Sequence, residues 1–250
     1  MRAVVLAGGY AKRMWPLTKN RPKHLLPIAG RPMLDYLMGS LEEASEIDEI
    51  YISTNMRFQD EFRRYIDGLC TEKSISLFIE DSRCEEEKLG SVGALGYLIR
   101  SEGIDDDLLV IGGDNIFSFK ISDFIGYFRE KGANTIALYD VGDREKARLY
   151  GVVQVDDEGR IIDFQEKPLN PRSTLISTAC YAFTRSGVSS ILKYLDEGND
   201  PDKMGCFIEW LYKREAVYGY VFTGVWFDIG SLESYRAADR YFSSLKGRRT

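Results

Sequence analysis

A short apolar run, Ala3-Val4-Val5-Leu6, ends in Ala7-Gly8-Gly9 and opens into a basic loop through Tyr10-Ala11-Lys12-Arg13-Met14-Trp15-Pro16-Leu17-Thr18, Arg21-Pro22-Lys23 and Leu25-Leu26-Pro27-Ile28. An apolar run closed by glycines fits a buried strand that turns sharply at its carboxyl end. The chain has 33 basic and 39 acidic residues, yet seven Lys or Arg and no acid lie between Met1 and Leu34. A basic loop after the first strand of an otherwise acidic chain marks a local anion site. Glycines let the backbone come close to a phosphate, and their N–H groups donate to it. Arg13 and Lys23 add charge. The competing reading is a solvated basic turn. The glycine pair, Arg, Pro and Pro-Lys occurring together weigh against it.

The rest of the composition mainly excludes. At 250 residues the chain is long enough for a sizeable core. No run of eighteen apolar residues is present, so a membrane span is not expected. The start of the chain carries no secretory apolar region, which leads to a cytoplasmic expectation. Cys70, Cys84, Cys180 and Cys206 are far apart and His24 is the only histidine, so a Cys/His zinc site is not expected. The net charge of −6 argues against a nucleic-acid partner.

Through the first half, strand and helix patterns alternate. Strands are expected at Ala3–Leu6, Ile50–Ser53, Ile75–Ile79, Leu108–Ile111 and Thr135–Tyr139. Helices are expected from Pro32, over Phe58–Leu69 and Val92–Arg100, and over Ile121–Lys131, stopped by Gly132. This order predicts an α/β fold: a doubly wound, mainly parallel but mixed, Rossmann-like sheet with helices on both faces. The second half adds a hairpin, Gly151–Val155 and Ile161–Gln165, and a strand at Leu175–Phe183. Helices follow at Val188–Leu195 and Cys206–Lys213, then a strand at Val217–Phe222 and a closing helix at Leu232–Leu245. We read this as a small β-rich insertion and helices on the edge of the same sheet. No linker splits the chain, so residues 1–250 are expected to form a single domain. No hexapeptide repeat is visible, so a C-terminal β-helix is not expected.

The stretch Leu-Ala-Gly-Gly, Arg13, Pro16-Leu17-Thr18 and Pro22-Lys23-His24-Leu25-Leu26-Pro27 resembles the signature of sugar-1-phosphate nucleotidyltransferases. The resemblance extends from Arg2 to about Asp239, with four motifs in the family's order. It is strongest to glucose-1-phosphate thymidylyltransferases, through Gly113-Asp114-Asn115-Ile116-Phe117. It implies a nucleotide-binding half at 1–145 with Leu6, Ala7, Gly8, Gly9, Glu80 and Gly90 at the nucleotide. The sugar half, 146–250, would contribute Tyr150, Gly151, Glu166, Lys167, Thr178 and Trp226, with Asn115 joining from the other half. Asp114 and Asp228 would hold Mg²⁺, a hard cation that takes oxygen ligands. Read without the resemblance, Asp114 at the carboxyl end of a buried strand is placed to hold Mg²⁺, with a turn or N-cap Asp as the competing reading; Asp228 alone reads as a helix cap, and Glu166 with Lys167 as exposed charges.

Two departures stand out. Ala11 and Lys12 replace the family's third loop glycine and Thr. Glu80 stands where thymidylyltransferases place a Gln against the pyrimidine. An ionised carboxylate accepts and cannot donate, so it suits the amino edge of cytosine or guanine better than thymine O4.

The reaction implied joins an NTP, dTTP or UTP by the resemblance, to a sugar 1-phosphate, glucose 1-phosphate first. The products are NDP-sugar and pyrophosphate, formed by direct in-line attack. Arg13 would face the leaving pyrophosphate. Lys23 and Lys167 would hold the α-phosphate and the sugar phosphate. The alternatives are CTP or GTP with another sugar or polyol phosphate, and a non-catalytic nucleotide-sugar-binding regulator on the same fold. A homo-oligomer is left open. A nicotinamide fold would need G-x-G-x-x-G, and a P-loop G-x-x-x-x-G-K-[ST]; neither is present.

Overall fold

The computed structural model describes residues 1–246; the last four positions of the expected 1–250 domain lie outside the described residues. In chain order the first half contains β1 (Arg2–Leu6), β2 (Pro27–Ile28), β3 (Arg31–Pro32), α1 (Leu34–Glu42), β4 (Glu49–Asn55) and α2 (Gln59–Asp67). It continues with β5 (Ser74–Glu80), α3 (Ser91–Glu102), β6 (Leu108–Gly112), β7 (Asn115–Phe117), α4 (Ile121–Lys131) and β8 (Asn134–Asp140). The second half contains α5 (Arg144–Ala147), β9 (Gly151–Val155), β10 (Ile161–Glu166), β11 (Leu175–Phe183), α6 (Arg185–Asp196), α7 (Met204–Leu211), β12 (Val217–Phe222), β13 (Trp226–Asp228) and α8 (Leu232–Lys246).

The local reasons for these elements are plain. The β6 run Leu108–Ile111 is apolar at every position and fully buried, as a central strand covered on both faces must be. The α4 helix stops at Gly132, whose φ of 58° closes the last turn. The α6 helix starts where the Thr184 hydroxyl accepts from the Gly187 N–H. The expected helix start at Pro32 is two residues early. Pro32 instead lies in β3, paired with β2, and α1 begins at Leu34.

Among the described residues, nine strands form one mixed, mostly parallel sheet. Strands β5, β4, β1 and β6 run parallel in that order. On the other side of β6 lies β11, antiparallel, then β8 antiparallel to β11, and β12 parallel to β8. The β9–β10 hairpin joins through Ile176↔Val152. The β-rich part is therefore more than an edge addition, because β11 lies inside the sheet. Its nine residues are apolar enough to be covered on both sides. One core packs α1, α2 and α4 against one face of the sheet. A second packs α3, α6 and α7 against the other.

Two features position the site. Strand β11 shifts register between Ser177 and Tyr181, with Ala179 at φ 55°, and the bulge turns this segment toward the carboxyl ends of β1 and β6. A separate two-strand ladder pairs β7 with β13 in the register Asp228↔Asn115. Behind it, Met14, Leu26, Ile28, Ile116, Ile229 and Ala238 of α8 form a third apolar cluster. Burying Met14 completely contributes about 1.5–3 kcal/mol, which ties the basic loop to the body of the protein.

Candidate active site

The first strand ends at Leu6, whose carbonyl accepts from the Gly113 N–H at 2.9 Å, so the two glycine turns after β1 and β6 are joined. The Gly8 carbonyl accepts from the Asn55 amide at 2.8 Å. Ala11 takes φ 48°, a left-handed conformation that costs a residue with a Cβ roughly 1–2 kcal/mol. The Thr18 hydroxyl donates to the Ala11 carbonyl at 2.8 Å and pins the turn.

A cleft of about 310 Å³ opens at these strand ends, where ligands of open α/β sheets bind. Leu6, Gly8, Gly9, Lys23, Glu80, Gly90 and Asp114 line it, with Lys88, Asp202 and Met204 from outside the expected set. Ala7 is buried behind it. A second cleft of about 160 Å³ is lined by Tyr150, Gly151, Glu166, Lys167, Ser177 and Asp228. Ala179 and Tyr181 line both clefts, so the two are contiguous across the β11 bulge.

The acids lie where the clefts meet. Lys23 Nζ is 2.5 Å from Asp114 Oδ2, with both side chains largely covered. This ion pair and the backbone around it hold the Asp114 carboxyl below the usual range, although burial alone would raise it. Asp228 is pushed up to about 6, first by burial and then by repulsion from Asp114, against the pull of Lys23, Arg13 and Lys167. Neighbouring His24 is buried and pushed down to about 3, so it stays neutral. The β7–β13 ladder makes the convergence possible, and the Ile229 N–H donates to the Asp114 carbonyl at 2.9 Å. Arg13 lines neither cleft. It reaches the same place from the loop, since a Cβ on Gly230 would lie 3.7 Å from Arg13 Nη2 and 3.6 Å from Asp228 Oδ2.

Among the described residues no group of three or more His, Cys, Asp or Glu is arranged to hold a metal ion. Two repelling carboxylates still fit Mg²⁺, which keeps several waters and takes one or two protein carboxylates plus substrate phosphates. A divalent cation would relieve the repulsion that raises Asp228.

Three residues expected at the sugar do not line the second cleft. Thr178 is buried and its hydroxyl donates to the Ala137 carbonyl at 2.9 Å, while its bulge neighbours Ser177 and Ala179 face the cleft. Asn115 donates to Asp114 Oδ1 at 2.9 Å and accepts from Trp226 Nε1 at 2.9 Å. Trp226 packs edge-on against Tyr150, with ring centroids 5.1 Å apart. Asn115 and Trp226 thus form a brace that orients Asp114 and Tyr150. Glu166 fits so closely that a Cβ on Gly205 would fall 1.9 Å from its carboxylate. Lys167 is held at φ 46°, its N–H donating to the Tyr150 carbonyl at 3.0 Å.

The first turn of α3 is tied to the second half of the chain. Ser91 does not cap the helix; its hydroxyl donates to the Asp202 carbonyl at 2.8 Å. The N–H groups of Ser91, Val92 and Gly93 donate to the Asp202 and Pro201 carbonyls. These donors are spent on clamping the two halves together, so the helix terminus is not an anion site. No motif around Pro201-Asp202 announces this contact.

The raised Asp228 carboxyl has a sign that can be checked. Its proton is retained in the folded state between about pH 4 and 6, so its contribution to stability is present at low pH and lost as pH rises through about 6. Metal-free Asp228→Asn is therefore expected to have a higher Tm than wild type at pH 7.5 and an equal one near pH 4. Thermal scans across that range check this. A Tm below wild type at pH 7.5 would contradict it.

Residues 2–244 match the family model described as Nucleotidyl transferase. The chain is 31% identical over 243 residues, 96% of its length, to the Bifunctional protein GlmU of Methanocaldococcus jannaschii. It is 32% identical over 245 residues, 98% of its length, to a Sulfolobus acidocaldarius protein described as a mannose-1-phosphate guanyltransferase. It spans 54% and 64% of those proteins' own lengths. A crystal structure from Bacillus anthracis, described as a glucose-1-phosphate thymidylyltransferase, superposes with a TM-score of 0.82 at 26% identity, covering 97% of this chain and 95% of that one. Motifs, fold and similarity agree: the chain belongs to the nucleotidyl transferase family, among the sugar-phosphate nucleotidyltransferases.

Proposed function

We propose that the protein joins a nucleoside triphosphate to a sugar 1-phosphate, releasing pyrophosphate. The observation that carries this is the meeting of two contiguous clefts at Asp114 and Asp228. One cleft is lined by Gly8, Gly9 and Gly90 and the other by Glu166 and Lys167.

The nucleophile, a sugar phosphate oxygen, is already ionised, so the protein need only align the reactants and neutralise charge. Gly8 and Gly9 let the nucleotide lie against the backbone. Lys23 turns from Asp114 toward the α-phosphate as that group arrives. Arg13 meets the pyrophosphate that leaves. Lys167 takes the sugar phosphate, and Glu166 accepts from sugar hydroxyls. The Asn115–Trp226 brace keeps Asp114 and Tyr150 in place. Asp114 and Asp228 would hold Mg²⁺, which when bound supplies charge neutralisation between the two phosphates.

Glucose 1-phosphate is the sugar favoured by the Gly113–Phe117 match. The base is where the cleft departs from the thymidylyltransferase pattern, because Glu80 replaces Gln. The test is pyrophosphate release with Mg²⁺ across dTTP, UTP, CTP, GTP and ATP and a panel of sugar 1-phosphates. Release that requires both substrates supports the proposal. Folded protein that binds nucleotide but releases nothing with any pair would favour the regulatory alternative.

A further inference from the structure

The end of β5 carries a buried acid that nothing in the transfer reaction needs. Glu80 is 2% exposed and lines the nucleotide cleft beside Gly8, Ser53 and Gly90. Its Oε1 lies so close to the Gly8 backbone that an added Cβ there would fall 2.0 Å away. Its other oxygen, Oε2, is buried and has no hydrogen-bond partner. The nearby cation does not pair with it: Lys88 Nζ lies 3.0 Å from Glu85 and 3.0 Å from Asp202. A buried polar atom left without a partner costs free energy, so its persistence in a cleft points to a ligand that supplies the donor.

We propose that Glu80 selects guanine: its carboxylate accepts from the N1–H and the 2-amino group of a guanine lying over Gly8. The inference rests on the first cleft being a nucleoside triphosphate site. A carboxylate offers two acceptors side by side and no donor. Guanine alone among the common bases presents two adjacent donors on its pairing edge. Thymine and uracil present one N–H between two carbonyls, which would face the carboxylate with repulsion. Adenine and cytosine set one amino group beside a ring nitrogen acceptor. A Gln at this place can donate and accept together, and so suits thymine or uracil.

The closeness of Gly8 matters for the same reason. With no Cβ there, Glu80 packs close against the backbone, and both residues line the open cleft. Burial favours the neutral acid, while the Leu89 backbone and Lys88 favour the ionised one; the direction that prevails is upward. Two donors from guanine would hold the group ionised.

The test is equilibrium binding of GTP, ITP, UTP, dTTP, CTP and ATP to the full chain with Mg²⁺, by calorimetry. GTP is expected to bind at least about tenfold more tightly than UTP or dTTP, the scale of one bidentate base contact. ITP keeps N1–H but lacks the 2-amino group, and is expected to lose about tenfold relative to GTP. Glu80→Gln is expected to reverse the order, weakening GTP and strengthening UTP and dTTP. The ITP comparison uses the unaltered protein and stands even if the variant does not fold. Equal binding of GTP and ITP, tighter binding of any other base, or an unchanged order in folded Glu80→Gln would each overturn the proposal. Base selection without pyrophosphate release would sink the transfer reaction and leave this inference standing.

Discussion

Asp114→Asn is expected to lower turnover by more than about a hundredfold, the scale of losing a main electrostatic contributor. The substitution keeps the size of the side chain and the Asn115 contact, so the fold should survive. What it removes is the charge that Lys23 holds at 2.5 Å and that raises Asp228. Two consequences separate a chemical loss from a structural one. The Asp228 carboxyl should fall back toward the ordinary carboxylate range, because its repelling neighbour is gone. The metal-free protein should also lose part of the stability change between pH 4 and 7.5. Steady-state kinetics with circular dichroism as a folding control checks the first claim. Near-normal turnover of folded Asp114→Asn would remove Asp114 from the mechanism.

Lys23→Met is expected to act on both stability and rate. The Lys23 ammonium is 12% exposed and its partner 24%, so the pair is largely removed from water. Removing one member leaves two half-buried, mutually repelling carboxylates without the Lys23 charge. Breaking a buried pair costs about 3–5 kcal/mol, and the residual exposure places this one at the lower end. The same residue is the one proposed for the α-phosphate, so kcat should fall about a hundredfold or more. Saturating Mg²⁺ should restore part of the lost Tm, because a cation between the acids replaces the missing charge. A variant with wild-type Tm and kcat would show that the Lys23–Asp114 pair has no part in either.

How much of this was legible in the sequence follows from the kind of signal each part carries. Helix Ile121–Lys131 and strands Leu175–Phe183 and Val217–Phe222 have the expected bounds, because periodicity and a closing glycine mark them. The two acids stand out as motifs after apolar runs. The device that unites them does not. Strands β7 and β13 have three residues each, too few for any period to show. The place of β11 inside the sheet is equally hidden, since a buried apolar strand reads the same at an edge hairpin or at the centre. The inward turn of Thr178 depends on the bulge at Ala179, a non-glycine residue in a left-handed conformation that no propensity scale announces. The clamp from Pro201 and Asp202 to α3 is made by backbone carbonyls, which every residue has. By contrast, Glu80 was visible as an acid in place of an amide, and the structure adds that it is buried, unpartnered and against Gly8.

The central claim is that Asp114 and Asp228, brought together by the β7–β13 ladder, form one divalent-cation site between the clefts. Mn²⁺ binding followed by electron paramagnetic resonance, with nucleotide present, tests it most directly on wild type, Asp114→Asn and Asp228→Asn. The account predicts one tight ion per wild-type chain and at least a tenfold weaker one in each single variant, a difference of about 1.4 kcal/mol or more. Wild-type affinity in folded Asp228→Asn would contradict it, because the second acid would then lie beside the site and not within it.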